Sequence, residues 1–218
     1  MRPLAGRSLV ARAVAHARAM TRVGRVIVST DSPEIADAAR AAGAEVPFMR
    51  PSELAQDTSP EWLVWRHALE FLQATEGRFP DALLVVPATA PLRMPSDLER
   101  CLDEYERGGV DAVITVTDAH RNPYFNMVTK SADGYATLVI PPTMDVTRRQ
   151  DAPLVFDVTT VGYVLRPAFV VEQIGIFAGH VRSVHVPVER ALDIDTLLDF
   201  QMAEWMLSAR ATVSEDIV

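Results

Sequence analysis

Two carboxylates stand two residues apart in Asp193-Ile194-Asp195-Thr196. In extended backbone alternate residues point the same way, so both would face one side just ahead of a helix. Such a pair with open coordination positions suits Mg²⁺, which takes one or two carboxylates and completes its shell with water and phosphate oxygens. The plainer alternative is that Asp195 or Thr196 caps the helix and Asp193 is solvated. Arg148-Arg149-Gln150-Asp151 offers the complementary chemistry, since guanidinium forks grip carboxylates and phosphates bidentately, although charge runs are usually solvated faces. The stretch Arg50-Pro51 to Asp57-Thr58-Ser59 joins a strand to a helix whose N-terminus could hold an anion, or is simply a capped loop. Thr89-Ala90-Pro91-Leu92-Arg93 lies just past a buried strand, at the end where α/β sheets bind ligands; a rigid turn would read the same way.

Other chemistries are missing. His16, His67, His120, His180 and His185 show no zinc spacing, and no G-x-S-x-G elbow, P-loop or G-x-G-x-x-G is present. Cys101 is the only cysteine, which excludes an internal disulfide and any cysteine-ligated cluster. The net charge of −8 argues against nucleic acid and anionic membrane as partners. With 49% hydrophobic and 23% charged residues, and no apolar run of membrane-spanning length, the 218-residue chain reads as a soluble cytoplasmic α/β domain. Lys130 is its only lysine.

The elements that must position these residues alternate. Apolar steps of three and four predict a helix over 8–21, a β-branched run predicts a buried strand over 25–30, and Ser32-Pro33 to Gly43 bounds a second helix. Ser59-Pro60 opens a helix to about Thr75, 82–86 is a strand, Ser96-Asp97-Leu98-Glu99 a capping box, and 110–117 a strand. Trp62 and Trp65, three apart, read as packing. Residues 120–153 break the alternation with Asn122-Pro123, Asp133-Gly134 and Pro141-Pro142, as a hairpin-like insertion would. Strands at 155–165 and 181–188, a helix from Pro167, and a last helix capped by Thr196 complete the chain, with a frayed tail after Arg210. Strands alternating with helices imply a mostly parallel sheet.

Taken in order, these motifs resemble the acylneuraminate cytidylyltransferase family, which makes CMP-activated nonulosonic acids. The matching segments are Pro3-Leu4-Ala5-Gly6-Arg7-Ser8-Leu9, Val28-Ser29-Thr30-Asp31-Ser32, Arg50-Pro51 to Asp57-Thr58, Thr89 to Arg93, Arg148-Arg149-Gln150 and Asp193 to Thr196. The resemblance implies a Rossmann-like three-layer fold of the nucleotide-diphospho-sugar transferase type, forming one nucleotidyltransferase domain over 1–218 with 120–153 as an inserted dimerisation element. It implies attack of a sugar acid's anomeric hydroxyl on CTP, with Mg²⁺ held by Asp193 and Asp195 and a homodimer as the working unit. By the same resemblance Arg50, Asp57 and Thr58 surround the nucleotide. Thr89, Arg93, Arg149 and Gln150 meet the acid sugar, with Asp193, Asp195 and Arg149 at the reaction centre.

Two departures shape the expectation. Family members begin with a strand and a Gly/Lys-rich phosphate loop before the Pro-Leu-Ala-Gly turn; here Met1 already stands past that loop, and Lys130 is no substitute. The first strand and the phosphate loop are therefore expected to be missing, through truncation or a start assigned too late, with weak or no activity as written. A non-catalytic sugar- or nucleotide-binding homolog or partner subunit is the alternative. Second, Pro87-Ala88-Thr89 stands where the family commonly has Gln-Pro-Thr, which points to an acceptor other than N-acetylneuraminate.

Overall fold

The computed structural model describes residues 2–141 and 148–215, with the backbone alone for Arg149 and 211–215. Helix α1 (Leu9–Arg18) begins where the Ser8 hydroxyl accepts the Ala11 N–H at 3.3 Å, and it buries Val10, Val14 and Ala17 at the expected steps. Helix α2 (Pro33–Ala41) is capped by Ser32, carries Pro33 at its first position, and is left through Gly43 at φ +91°. Val10 and Val14 pack against Ala39 and Ala44 between them.

The strand expected over 25–30 does not form. Val28 N–H donates to Glu45 O at 2.9 Å and Glu45 N–H to Val26 O at 2.8 Å, and one bridge, Ile27 to Glu45, results. The β-branched composition is right, but a ladder needs a neighbour along its whole length, and among the described residues only Glu45 and, at the far end, Arg50, whose N–H donates to Thr30 O at 2.8 Å, pair with the segment backbone to backbone.

Helix α3 (Glu61–Glu76), strand β1 (Leu83–Val85), helix α4 (Pro95–Glu106) and strand β2 (Ala112–Asp118) follow as read, with two caps relocated. Ser59 does not cap α3: its hydroxyl donates to Glu53 O at 2.8 Å and closes the preceding loop. Nor do Ser96 and Glu99 form the box at α4; Asp97 accepts the Met94 N–H at 3.0 Å, because Pro95, pre-set for a first helical position, starts the helix earlier.

Strands β3 (Val128–Lys130) and β4 (Ala136–Leu138) pair as a separate hairpin within 120–153, turning through Gly134 at φ +90°. Residues 142–147 of that insertion lie outside the described residues. Strand β5 (Phe156–Leu165), helix α5 (Pro167–Glu172), strand β6 (Val181–His185) and helix α6 (Leu197–Glu215) follow. Helix α6 runs past Arg210, where a frayed tail was expected, since Ala-Thr-Val-Ser-Glu contains no breaker.

The main sheet is ordered β1-β5-β2-β6. β5 is antiparallel to β1 and β2, and β2 is parallel to β6, so β1, β2 and β6 all run the same way. Along β2, Ala112, Ile114 and Val116 join Trp62, Leu69 and Phe169 of α3 and α5, whereas Val113 joins Leu98, Cys101 and Leu102 of α4. That period of two, with helices on both faces, makes the three layers. Trp62 and Trp65 are packing residues as expected, their rings 5.6 Å apart and Trp62 against Phe169.

Candidate active site

The loops that leave the carboxyl ends of β1 and β6 meet: the Ile194 N–H donates to Thr89 O at 2.9 Å. This single bond brings the Thr89 turn beside the Asp193–Asp195 segment. The helix cap behind them is made by others. Thr196 N–H donates to the Asp199 carboxylate at 2.7 Å, and Asp199 N–H to the Thr196 hydroxyl at 3.3 Å. Neither Asp193 nor Asp195 is spent on capping. Asp195 is exposed, whereas Asp193 is half-buried and its Oδ1 is buried without a hydrogen-bond partner among the described residues. A buried carboxylate oxygen left unmatched costs free energy unless a ligand meets it.

Arg93 lies beneath this pair, only 3% exposed. Its Nη2 donates to the carbonyls of Pro87 and Thr160, while its Nε has no partner among the described residues. Burial pushes the guanidinium down to about 10, with Asp193, then Tyr163 and Asp97, acting against the fall. Arg93 thus ties its own turn to β5 from inside.

Thr160 is available to Arg93 because β5 bulges. The register runs Ile114 to Tyr163 and then Thr115 to Thr159, which leaves Thr160, Val161 and Gly162 looped out. Thr115 Oγ1 accepts the Gly162 N–H at 3.2 Å and the Thr159 hydroxyl at 2.8 Å, stapling the bulge. A Cβ at 162 would stand 2.4 Å from Leu98 Cδ2, so any larger residue there has to displace the buried Leu98 side chain. Bulges of this kind re-aim groups beside active sites. On the other side Asp97, fully buried, accepts Arg190 Nε and Nη2 at 2.9 Å each, tying the start of α4 to the turn that precedes Asp193.

Three members of the cluster escaped the sequence reading. Glu61, at the start of α3, is pushed above the usual carboxylate range by burial; Asp193 adds to this, while a hydrogen bond with Trp65 and the charge of Arg50 oppose it. Tyr163 is pushed up to about 12 by burial, with Glu61 and Asp193 adding to it. His16 is driven down to about 4 by burial first, then by Arg93, Arg12 and Arg7. None lies in a motif. Their only signal would have been a polar residue on an otherwise apolar face, as with His16 beside Ala13 and Ala17.

His16 carries a pH prediction. The unfolded chain takes up its proton near 6.5, the folded protein only near 4, so protons favour unfolding across that window. Stability should therefore fall as pH drops from 6.5 towards 4, and urea titrations of His16→Gln should show a shallower fall than wild type. Parallel curves would remove His16 from the acid response.

The remaining candidates are placed as follows. Arg50 donates from Nε to the Ser29 hydroxyl at 3.3 Å and from Nη2 to the Ser29 carbonyl, at the edge of the same cluster. Asp57 and Thr58 are exposed on the loop leading to α3. Arg148 is held by Asp151 within its own turn, at 2.9 and 3.0 Å. Gln150 is exposed on that turn, with no hydrogen bond to the Asp193 cluster among the described residues, and the Arg149 side chain lies outside them. Among the described residues no three His, Cys, Asp or Glu gather as a metal cage. Two carboxylates, one with a buried unmatched oxygen, do fit an ion that takes few protein ligands and shares the rest with phosphate.

A three-layer α/β sheet whose polar site is built by loops at the carboxyl ends of co-directional strands defines a Rossmann-like nucleotide-handling protein. The chain belongs to the cytidylyltransferase family, whose model matches residues 1–122, and is a nucleotidyltransferase. Post-translational flagellin modification protein B of Campylobacter coli is 29% identical over 212 residues, covering 95% of this chain and 87% of that protein. A CMP-N,N′-diacetyllegionaminic acid synthase of Campylobacter jejuni is 28% identical over 215 residues, with the same coverage of 95% and 87%. The solved structure of CMP:2-keto-3-deoxy-manno-octonic acid synthetase complexed with CTP superposes with a TM-score of 0.69 at 14% identity, covering 96% of this chain and 91% of that one.

Proposed function

We propose that this enzyme transfers CMP from CTP to the anomeric hydroxyl of a nonulosonic sugar acid and releases pyrophosphate. The observation that carries the reading is the meeting of Asp193, Asp195 and Thr89 at the strand ends of a cytidylyltransferase-family chain. The relatives' own activities, with legionaminic and pseudaminic acids among their substrates by name, support the acid class. In the reaction the sugar oxygen forms a bond to the α-phosphorus, the bond to the bridging oxygen breaks, and the hydroxyl proton leaves to solvent or a nearby base. Asp193 and Asp195 would hold Mg²⁺, which supplies neutralisation of the phosphate charge. Thr89, fixed through its carbonyl, orients the acceptor beside them; Arg50 contributes a cation on the nucleotide side; Arg93 ties the Thr89 turn to β5 from below. The test is pyrophosphate release from CTP and Mg²⁺ across a panel of nonulosonic acids. No release with any acid would defeat the reading.

The insertion fits a second copy of the chain. Within it Tyr135 is 76% exposed and Val128, Val139 and Ile140 are also open to solvent, apolar side chains that a protein interface would cover. Light scattering is expected to report a dimer, and Tyr135→Glu to shift it towards monomer with loss of turnover. A wild-type monomer with full activity would contradict this.

A further inference from the structure

Asp97 belongs to neither loop of the site, yet both are fastened to it. It stands in the first turn of α4 and is fully buried. Its Oδ2 accepts the Met94 N–H at 3.0 Å, which fixes the end of the turn that carries Thr89. The same carboxylate accepts Arg190 Nε and Nη2 at 2.9 Å each, which fixes the start of the stretch that carries Asp193. Two parallel bonds between one guanidinium and one carboxylate allow a single orientation. One turn further along α4, Arg100 Nη2 donates to His185 O at 2.7 Å, so the chain leaves β6 against this helix. Only residues 191–193 lie between Arg190 and Ile194, whose N–H meets Thr89 O at 2.9 Å, and Asp193 is one of them. Arg210 of α6 bridges the same two loops, donating to Leu92 O at 3.1 Å and Glu189 O at 2.8 Å, so loosening the Asp97 clamp would shift them without releasing them.

We propose that Asp97 and Arg190 are positioning residues for the transfer reaction: by holding the Thr89 turn and the Asp193 stretch on one carboxylate, they set the spacing between acceptor and metal. The inference rests on the CMP-transfer reading above, which puts the acceptor at Thr89 and Mg²⁺ at Asp193 and Asp195. Where catalysis is mostly placement and charge neutralisation, that spacing enters the rate directly, and a misplacement of about 1 Å caused at a distance can cost about a hundredfold. A buried ion pair adds little stability of its own, because desolvation offsets its attraction, so stability alone gives no reason for a charge pair at this point. Its value lies in geometry: neither partner can move without moving a loop of the site.

The experiment measures kcat and the KM for CTP, well below the melting midpoint, in wild type, Asp97→Asn and Arg190→Lys, with circular dichroism to follow folding. Arg190→Lys is the gentler change: it keeps a positive charge beside Asp97 but cannot make the paired bonds, and the Arg190 side chain is 21% exposed. Each folded variant is expected to lose about ten- to a hundredfold in kcat while the KM for CTP stays within about threefold of wild type. A merely structural pair would lower the melting temperature and leave kcat of the folded enzyme alone. Wild-type kcat in a folded variant would therefore overturn the inference and leave the CMP-transfer reading standing, as would a general loosening in which the KM for CTP rises in step with the fall in kcat. Failure of both variants to fold would make the pair a folding element and overturn it too. A wild type that turns over no acid would defeat the reading, and the inference with it.

Discussion

Asp195→Asn is expected to lower Mg²⁺-dependent turnover by about a thousandfold or more while leaving the melting temperature within about 2 °C of wild type. The first half follows from charge. In phosphoryl transfer the protein contributes mainly position and neutralisation, and an asparagine keeps the shape but removes half of the negative charge that would hold the ion. The second half follows from structure. Asp195 is exposed, and the cap of α6 is made by Thr196 and Asp199, so no folded-state contact depends on its carboxylate among the described residues. Mn²⁺ binding followed by paramagnetic resonance gives a readout apart from turnover and should weaken in parallel. Unchanged turnover and unchanged Mn²⁺ affinity would refute the metal assignment.

Arg93→Met should act in the opposite sense, costing the fold about 3 kcal/mol and roughly 6–12 °C in melting temperature. Methionine fills much of the same volume, so packing loss is the smaller part. The larger part is electrical: the carbonyls of Pro87 and Thr160 lose their charged donor in a buried place, and Asp193 loses the cation beneath it. Arginine there is already strained by burial, which is why its guanidinium is held down to about 10, and relief of that cost limits the net loss. Urea unfolding of the variant measures it. A loss below about 1 kcal/mol would show that Arg93 is not the brace described.

Much of this was legible in the residues because it is local. Ser32 and Thr196 cap the helices they precede, and the Thr89–Arg93 segment does leave the carboxyl end of a strand. What stayed hidden is what depends on distant partners. The Thr160 bulge exists because Thr115 binds across the strand pair, and no pattern in either segment announces it. Arg93 reads as a substrate cation in its motif, and only the packing around it turns it inward. Residues 25–30 have strand composition, yet pairing belongs to the neighbour, not to the segment. Glu61, three positions past the Asp57-Thr58 pair, joins the cluster only because α3 starts one residue after Pro60 and presents its first carboxylate to Arg50 and Asp193.

The most direct test of CMP transfer is mass spectrometry of the products formed from CTP, Mg²⁺ and the acid sugar that gives most pyrophosphate release. A CMP-glycoside formed one for one with pyrophosphate, and abolished by Asp195→Asn, is the expected result. Protein that binds CTP but yields no nucleotide sugar with any acid of the panel would contradict it.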